Sequence, residues 1–379
     1  MGSEQFAKKQ FRQRGKVDAL LNEKLEKVEW GEFKIEELFE SYNGNFDIQK
    51  EHINGKGEYV ITAGLTNNGI LGKTDVEAKI FDDKTITIDM FGAVFYRQFK
   101  YKMVTHARVF SLYPKFEITE NQGLFLVNSF HFLNKKFGYE NMCSWNKIKS
   151  DKIHLPTKKG KIDFHFMENF IAELENERIN KLANYLEITG LKDYTLTAEE
   201  EKVLADFENC KVVWGEFSYK SVFNKIIQGR RLTKDDQISG SIPFVMAGTT
   251  NTGVVNYISN PVASFPKNAI TIDIFGNTFY RDYDFGAGDD TGVYWNSEKN
   301  YSKETMLFFT TSMEKSIAGK FDYGNKLRSS QSFDFNMKLP VISNQPNFLI
   351  METFITAIQK LVIKDVVLYV DTKLKSTIA

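Results

Sequence analysis

Two acidic residues hold the positions best suited to chemistry: Asp89 in "ITIDMFGAVFYR" and Asp273 in "ITIDIFGNTFYR". Each ends an apolar run, precedes Phe-Gly, and shares its phrase with a tyrosine (Tyr96, Tyr280) and an arginine (Arg97, Arg281). A carboxylate so placed is either an acid-base group tuned by burial or an acceptor for turn amides or a nearby guanidinium, and the structural role is the commoner one. Other reactive types are poorly arranged. The five histidines, His52, His106, His131, His154 and His165, face Asp236, Asp290, Lys315, Lys338 and Leu349 at the matching positions of the second half, which excludes a histidine site common to both halves. The glycines of "AGLTNNGILG" lack the Lys-Ser/Thr of a phosphate cradle and read as a β-turn. Cys143 and Cys210 are not equivalent and have no metal or redox spacing, so free thiols are expected.

The doubled phrase belongs to a larger repeat. A shift of 184 positions that carries Ile86 onto Ile270 also aligns "WGEF" at Trp30 and Trp214, and "AGLTNNG" at Ala63 with "AGTTNTG" at Ala247. The same shift aligns Lys136, Phe137, Tyr139 and Asn141 with Lys320, Phe321, Tyr323 and Asn325, and "MENFI" at Met167 with "METFI" at Met351. Each copy has the size of a domain, and 379 residues suffice for two cores. Within a copy, "KIEELFESYNG" and "SYKSVFNKIIQG" read as one helix and a turn. Short β-rich runs follow, set apart by Gly and Asn turns, which predicts a twisted, largely antiparallel sheet. The closing strand, "KIHLP" or "NMKLP", is expected to stop at proline. Each copy then ends in a helix, about Phe166–Glu187 and Leu349–Leu374, with apolar residues at three- and four-residue steps. These two helices either cover their own sheets or pack on each other, and pairing is the preferred reading, through Met167, Phe170, Leu174, Phe354, Ile358 and Leu361.

The fold class that follows is mixed α/β (α+β): two tandem domains with mainly antiparallel sheets, separated by two long antiparallel paired helices with pseudo-two-fold symmetry. The boundaries are an N-terminal helical segment 1–29, a first domain 30–165, a connecting helix region 166–213, a second domain 214–348 and a C-terminal spacer helix 349–379. Composition is that of a folded protein rather than a disordered one. The absence of a long apolar run, and of an apolar core near the N-terminus, points to a cytoplasmic protein with no membrane role. The net charge of zero counts mildly against nucleic-acid binding without excluding a basic face.

Around the shared frame the polar loops diverge. "MCSWNKIKSDK" from Met142 stands against "KLRSSQSFDFN" from Lys326, and "SYNGNFDIQK" from Ser41 against "NKIIQGRRLTK" from Asn224. One frame with two loop sets suits a protein that reads two different objects of one kind, and these side chains can bond base edges and phosphates.

With "W.EF.I..LF", "Y.ITAG.TNNGI.G", "ITID.FG..FYR" and the closing "LP" strand, the chain resembles the specificity (S) subunits of bacterial restriction-modification systems. The type I pattern P-x-x-x-E-Q after that strand is missing. "KIDFHFMENFI" and "QPNFLIMETFI" instead look like the type IIB/IIG (BcgI-like) branch. The resemblance implies a non-catalytic reader with two target-recognition domains, each taking half of a bipartite target in double-stranded DNA. A companion methyltransferase, or fused restriction-methyltransferase, would hold S-adenosylmethionine and magnesium, and target adenines would be flipped into its pocket. Recognition residues by this resemblance are Ser144, Trp145, Asn146 and Lys147 in the first copy and Arg328, Ser329, Ser330 and Gln331 in the second. Phosphate anchors are expected at Lys100, Lys102, Arg230, Arg231 and Lys234. The turns Thr66-Asn67-Asn68 and Thr250-Asn251-Thr252 contact DNA or are purely structural. Two rival readings are a bivalent protein- or carbohydrate-binding module and a hydrolase built on Asp89/Asp273 with Tyr96/Tyr280.

Overall fold

The computed structural model describes residues 19–260 and 264–378, so residues 1–18 of the expected N-terminal helical segment lie outside the described residues. Two compact units divide the chain: one runs to Leu182 and includes the chain from Lys373 onward, and the other is Ala183–Thr372.

The first unit opens with helix α1 (Ala19–Lys27) and strand β1 (Glu29–Lys34). Leu21 and Leu25 of α1 are buried, and the Leu25 carbonyl accepts from Trp30 Nε1 at 3.2 Å. Strands β2 (Phe39–Asn43), β3 (Glu58–Ile61), β4 (Ile70–Thr74), β5 (Thr85–Ile88), β6 (Val94–Arg97), β7 (Tyr101–Met103) and β8 (Phe110–Pro114) follow. They form a four-stranded antiparallel sheet, β2-β8-β5-β6, and a three-stranded sheet, β4-β3-β7, in which β3 and β7 run parallel. Strand β9 (Lys152–Lys158) pairs with β1 and with the short β10 (Lys161–Ile162). Helix α2 (Glu120–Ser129) packs on the four-stranded sheet, and helix α3 (Phe164–Ile188) follows β10.

The second unit repeats the scheme after helix α4 (Ala198–Glu208), whose N-terminus is held by a reciprocal Thr197–Glu200 capping box. Its strands are β11 (Trp214–Ser218), β12 (Lys225–Gln228), β13 (Ser239–Val245), β14 (Val254–Ile258), β15 (Ser264–Phe265), β16 (Ala269–Asp273), β17 (Thr278–Arg281), β18 (Phe285–Ala287), β19 (Thr291–Trp295), β20 (Asn336–Ile342) and β21 (Gln345–Pro346). The sheets are β11-β20-β21, β12-β19-β16-β17 and β14-β13-β18-β15, again with one parallel pair, β13 with β18. Helices α5 (Lys303–Ile317) and α6 (Phe348–Ile378) complete the unit, and α6 continues into the first one at Lys373. There Lys373 Nζ pairs with Glu175 of α3 at 2.6 Å. Among the described residues no helix is long and apolar enough to cross a membrane.

Two expectations need correction. The segments after "WGEF" each hold only one helical turn, Ile35–Leu38 or Tyr219–Val222, before becoming edge strands β2 and β12; sheet pairing overrides the local helical pattern. The closing strands do not stop at proline, because Pro156 and Pro340 lie inside β9 and β20. The Pro156 carbonyl accepts from Asp163 N on the β10 side, where the ladder begins only at Thr157, so the missing N–H costs no ladder bond. Before the closing strand of each unit lie α2 and α5, N-capped by Thr119 and Ser302.

The first turns of α3 are spent on their own unit's core. Met167 and Phe170 are buried beside Phe125, whose ring meets that of Phe170 edge-on at 5.8 Å, and Leu174 packs on the same cluster. Phe354 stacks on Phe207 at 3.9 Å, whereas Ile358 and Leu361 remain largely exposed.

Gly123 in α2 lies under the Tyr96 ring, where an added Cβ would come within 2.2 Å of a ring carbon. Gly123→Ala is therefore expected to destabilise the first unit by about 1–3 kcal/mol through overpacking, read as a lower urea midpoint.

Candidate nucleic-acid interface

The repeated acids organise one edge of each unit. Asp89 Oδ1 accepts from the amides of Phe91 (2.8 Å) and Ala93 (2.9 Å), and Oδ2 accepts from Gly64 N at 2.8 Å. Asp273 does the same with Phe275 N (2.9 Å), Asn277 N (3.0 Å) and Gly248 N (2.9 Å), and adds Asn277 Nδ2 at 2.8 Å. Both side chains are buried, and each fastens the β5–β6 or β16–β17 turn to the "AG.TN.G" loop. Charge-assisted bonds to several amides are the strong kind, and every carboxylate oxygen is occupied. A hydrolytic pair with tyrosine finds no support in this geometry. Tyr96 packs against α2, and burial, with the Glu120 and Asp83 carboxylates, pushes its phenol up to about 12.

The arginines of the phrase do not pair with the acids, and Arg281 supports the second of these loops. Arg281 Nη2 donates to the Thr252 carbonyl at 2.6 Å, Nη1 to Thr252 Oγ1 and Tyr283 Oη, and Nε to Thr271 Oγ1. Arg97 Nε donates to Thr87 Oγ1 at 2.9 Å, and burial lowers its pKa to about 10. Above them, Asn67, Asn68, Asn251 and Thr252 all adopt left-handed backbone, with φ of 48°, 52°, 49° and 52°. Asn67 and Asn251 turn their amides back onto the carbonyls of Ile70 and Val254. The side chains of Asn67 and Asn251 thus serve the turn itself, while Thr66 and Thr250 stand exposed beside them.

The divergent segments before the closing strands meet this edge. In the first unit Cys143 N donates to the Met90 carbonyl at 2.8 Å, next to Asp89, and this bond sets down Ser144–Lys147. Ser144 and Asn146 are exposed, Trp145 is half-buried on the core, and Lys147 Nζ donates to Asn141 Oδ1 and Met142 O, both at 2.8 Å. In the second unit Leu327 N donates to the Ile274 carbonyl, next to Asp273. Arg328 is exposed and Nη1 reaches the Asp289 carbonyl at 2.6 Å; Ser330 and Gln331 are exposed, and Ser329 is buried. Gln228, absent from the expected residues, joins the pieces by donating to Asp289 O and accepting from Ser329 N. Its signal was its place beside Arg230, whose amide donates to the Ala287 carbonyl. Arg230 and Arg231 are exposed at this edge, and Lys234 is exposed beside Asp235 and Asp236.

Of the other two expected anchors, Lys100 is exposed and lies 3.7 Å from Asp82. Lys102 is corrected: it is 5% exposed and its Nζ donates to the carbonyls of Thr74 and Val76, so it is an internal tether and not a phosphate contact. Among the described residues no three His, Cys, Asp or Glu side chains gather in a way that could hold a metal ion.

The family described as type I restriction modification DNA specificity domain matches residues 27–184 and again residues 211–367. The chain belongs to this family. Each match takes in one repeat and most of its long helix. The specificity subunit S.BcgI of a type II restriction enzyme from Heyndrickxia coagulans is 26% identical over 348 residues, 89% of this chain and 96% of the relative. That relative is of the BcgI-like branch to which the "MENFI" and "METFI" segments pointed. The crystal structure of a type I restriction-modification S subunit from M. genitalium has a similar fold, with a TM-score of 0.56 at 16% identity, covering 92% of this chain and 93% of that one.

Two outcomes follow from the acid-centred edge. Asp89→Ala orphans three amides and is expected to lower stability by about 2 kcal/mol or more in urea unfolding; unchanged stability would refute the tethering role. Burial, reinforced by the Asp89 carboxylate, raises the Cys143 thiol to about 12, so Cys143 stays protonated at neutral pH. A thiol reagent is therefore expected to label exposed Cys210 in the native protein, and both cysteines only after denaturation.

Proposed function

We propose that this chain is the DNA-reading subunit of a restriction-modification enzyme, in which each unit takes one half of a bipartite target. The observation that carries the reading is the pairing of one shared tether with two unlike edges. Asp89 and Asp273 hold equivalent loops in equivalent ways, whereas Ser144–Lys147 and Arg328–Gln331 offer different side chains at matching places. Unlike edges in one family frame suit two half-sites of unlike sequence.

A companion polypeptide supplies methyl transfer, and cleavage where it occurs, holding S-adenosylmethionine and magnesium; the present chain positions it on the target. Adenines are taken out of the duplex to be methylated. With no net charge, the chain alone neutralises few phosphates, so it binds weakly and with strong salt sensitivity until the companion shares the backbone contacts. The 25 residues of α3 span about 37 Å at 1.5 Å per residue, close to the roughly 34–36 Å of one turn of B-DNA. The half-sites are then about one turn apart.

Selection from a randomised duplex pool, with the chain alone and with its companion methyltransferase, tests this. The expected outcome is two dissimilar short blocks at a fixed separation of about one turn, recovered by the assembly. A palindromic or continuous target would refute the two-reader arrangement. No enrichment from a folded assembly would leave protein or carbohydrate binding as the function.

A further inference from the structure

Two tyrosines at the same edge have no part in that reading. Tyr139 and Tyr323 share one register position in the repeats and are 80% and 82% exposed, whereas most aromatic rings of the phrase-bearing domains are packed inside. Both tips are rigid. Gly138 and Asn141 exchange backbone bonds of 3.1 and 3.2 Å across the first, and Asp322 N donates to Asn325 O at 3.1 Å across the second. In each, the asparagine amide then ties the base of the turn, Asn141 Nδ2 to Lys136 O at 3.2 Å and Asn325 Nδ2 to Lys320 O at 2.9 Å.

The tip is joined to the reading edge. Phe91, in the turn fastened by Asp89, meets the Tyr139 ring edge-on at 4.9 Å, and Lys147 holds Asn141 Oδ1. Lys326 places Nζ 4.6 Å from the centre of the Tyr323 ring. The next residue differs, Glu140 in one tip and Gly324 in the other, so the shared element is the ring and not a charge. A large ring kept in water on a tied-down turn has lost its freedom in advance, and stacking against a base recovers its buried area at little further entropic cost.

We propose that Tyr139 and Tyr323 are wedge residues, each entering the base stack of its half-site and filling the space left by the extruded adenine. The inference rests on the proposed function, and it adds to that reading how the target base is displaced and by which side chains of this chain.

The test uses the full chain assembled with its companion methyltransferase and the duplex that the wild-type assembly selects. Tyr139→Ala is expected to weaken binding to the intact duplex about five- to a hundred-fold, in line with the loss of one base–aromatic stack, while Tyr139→Phe binds as wild type. With 2-aminopurine in place of the first target adenine, the wild-type assembly is expected to raise the fluorescence of the probe as it leaves the stack, and the Tyr139→Ala assembly, at saturating protein, to raise it much less. Tyr323→Ala should behave likewise at the second half-site alone. Equal binding by the alanine variants and wild type on the intact duplex overturns the wedge, as does an equal rise in 2-aminopurine fluorescence with wild type and Tyr139→Ala. Dissociation of the companion from the Tyr139→Ala assembly in gel filtration would mark the tip as a protein contact and overturn it too. Failure of the wild-type assembly to select any duplex is a separate result that removes the DNA reading itself, and the wedge with it.

Discussion

A carboxylate with no solvent, surrounded by backbone amides, is the constraint on which each unit depends. Asp89 and Asp273 sit where a strand ends and must satisfy two oxygens apiece in a buried place, and the amides that do so come from two separate loops. Leaving them unmet would cost more than any one contact at the edge could return. The partners are main-chain groups, which almost every residue type provides. Loop sequence can therefore change beside the acid without disturbing the tether, and the two copies of this chain show that it has.

The buried arginines are the second fixed point, and here the copies differ. Arg281 meets a hydroxyl and a carbonyl of Thr252 and the Tyr283 hydroxyl. In the first unit those places hold Asn68 and Phe99, and Arg97 Nη2 is buried with no hydrogen bond. A guanidinium loses solvation wherever it is enclosed, so the first unit holds its turn with less compensation than the second. The ring of Phe95, 5.0 Å from the Arg97 carbon, offsets part of this.

Much of this arrangement is legible in the residue order. The matched phrases set the two units, the three- and four-residue apolar steps set α3 and α6, and the Asp-x-Phe-Gly context marks Asp89 and Asp273 as turn acceptors. The features that local sequence does not specify have a common cause: neighbours distant in the chain decide them. Phe39–Asn43 has local helical character but lies along β8, and only pairing reveals it as a strand. Lys102 lies between Tyr101 and Met103 in a strand buried on both sides, a pattern with no alternation to mark the lysine as internal; its fit depends on two carbonyls from residues 74 and 76. The edge formed by Gln228, Asp289 and Arg328 joins three loops far apart in the chain. The Thr119-x-x-Gln122 capping box and the N-cap Ser302 mark the starts of α2 and α5 in the residue order.

The last turns of α6 belong to the unit that starts the chain, where Lys373 meets Glu175. During synthesis the ribosome releases the strands of the first unit long before it makes the helix end that completes it. The first unit must therefore persist unfinished while residues 183–372 emerge, its Glu175 region still open to other contacts. A chain cut before Lys373 would retain all of the described loops and lose the ion pair that ties the end of α6 to α3.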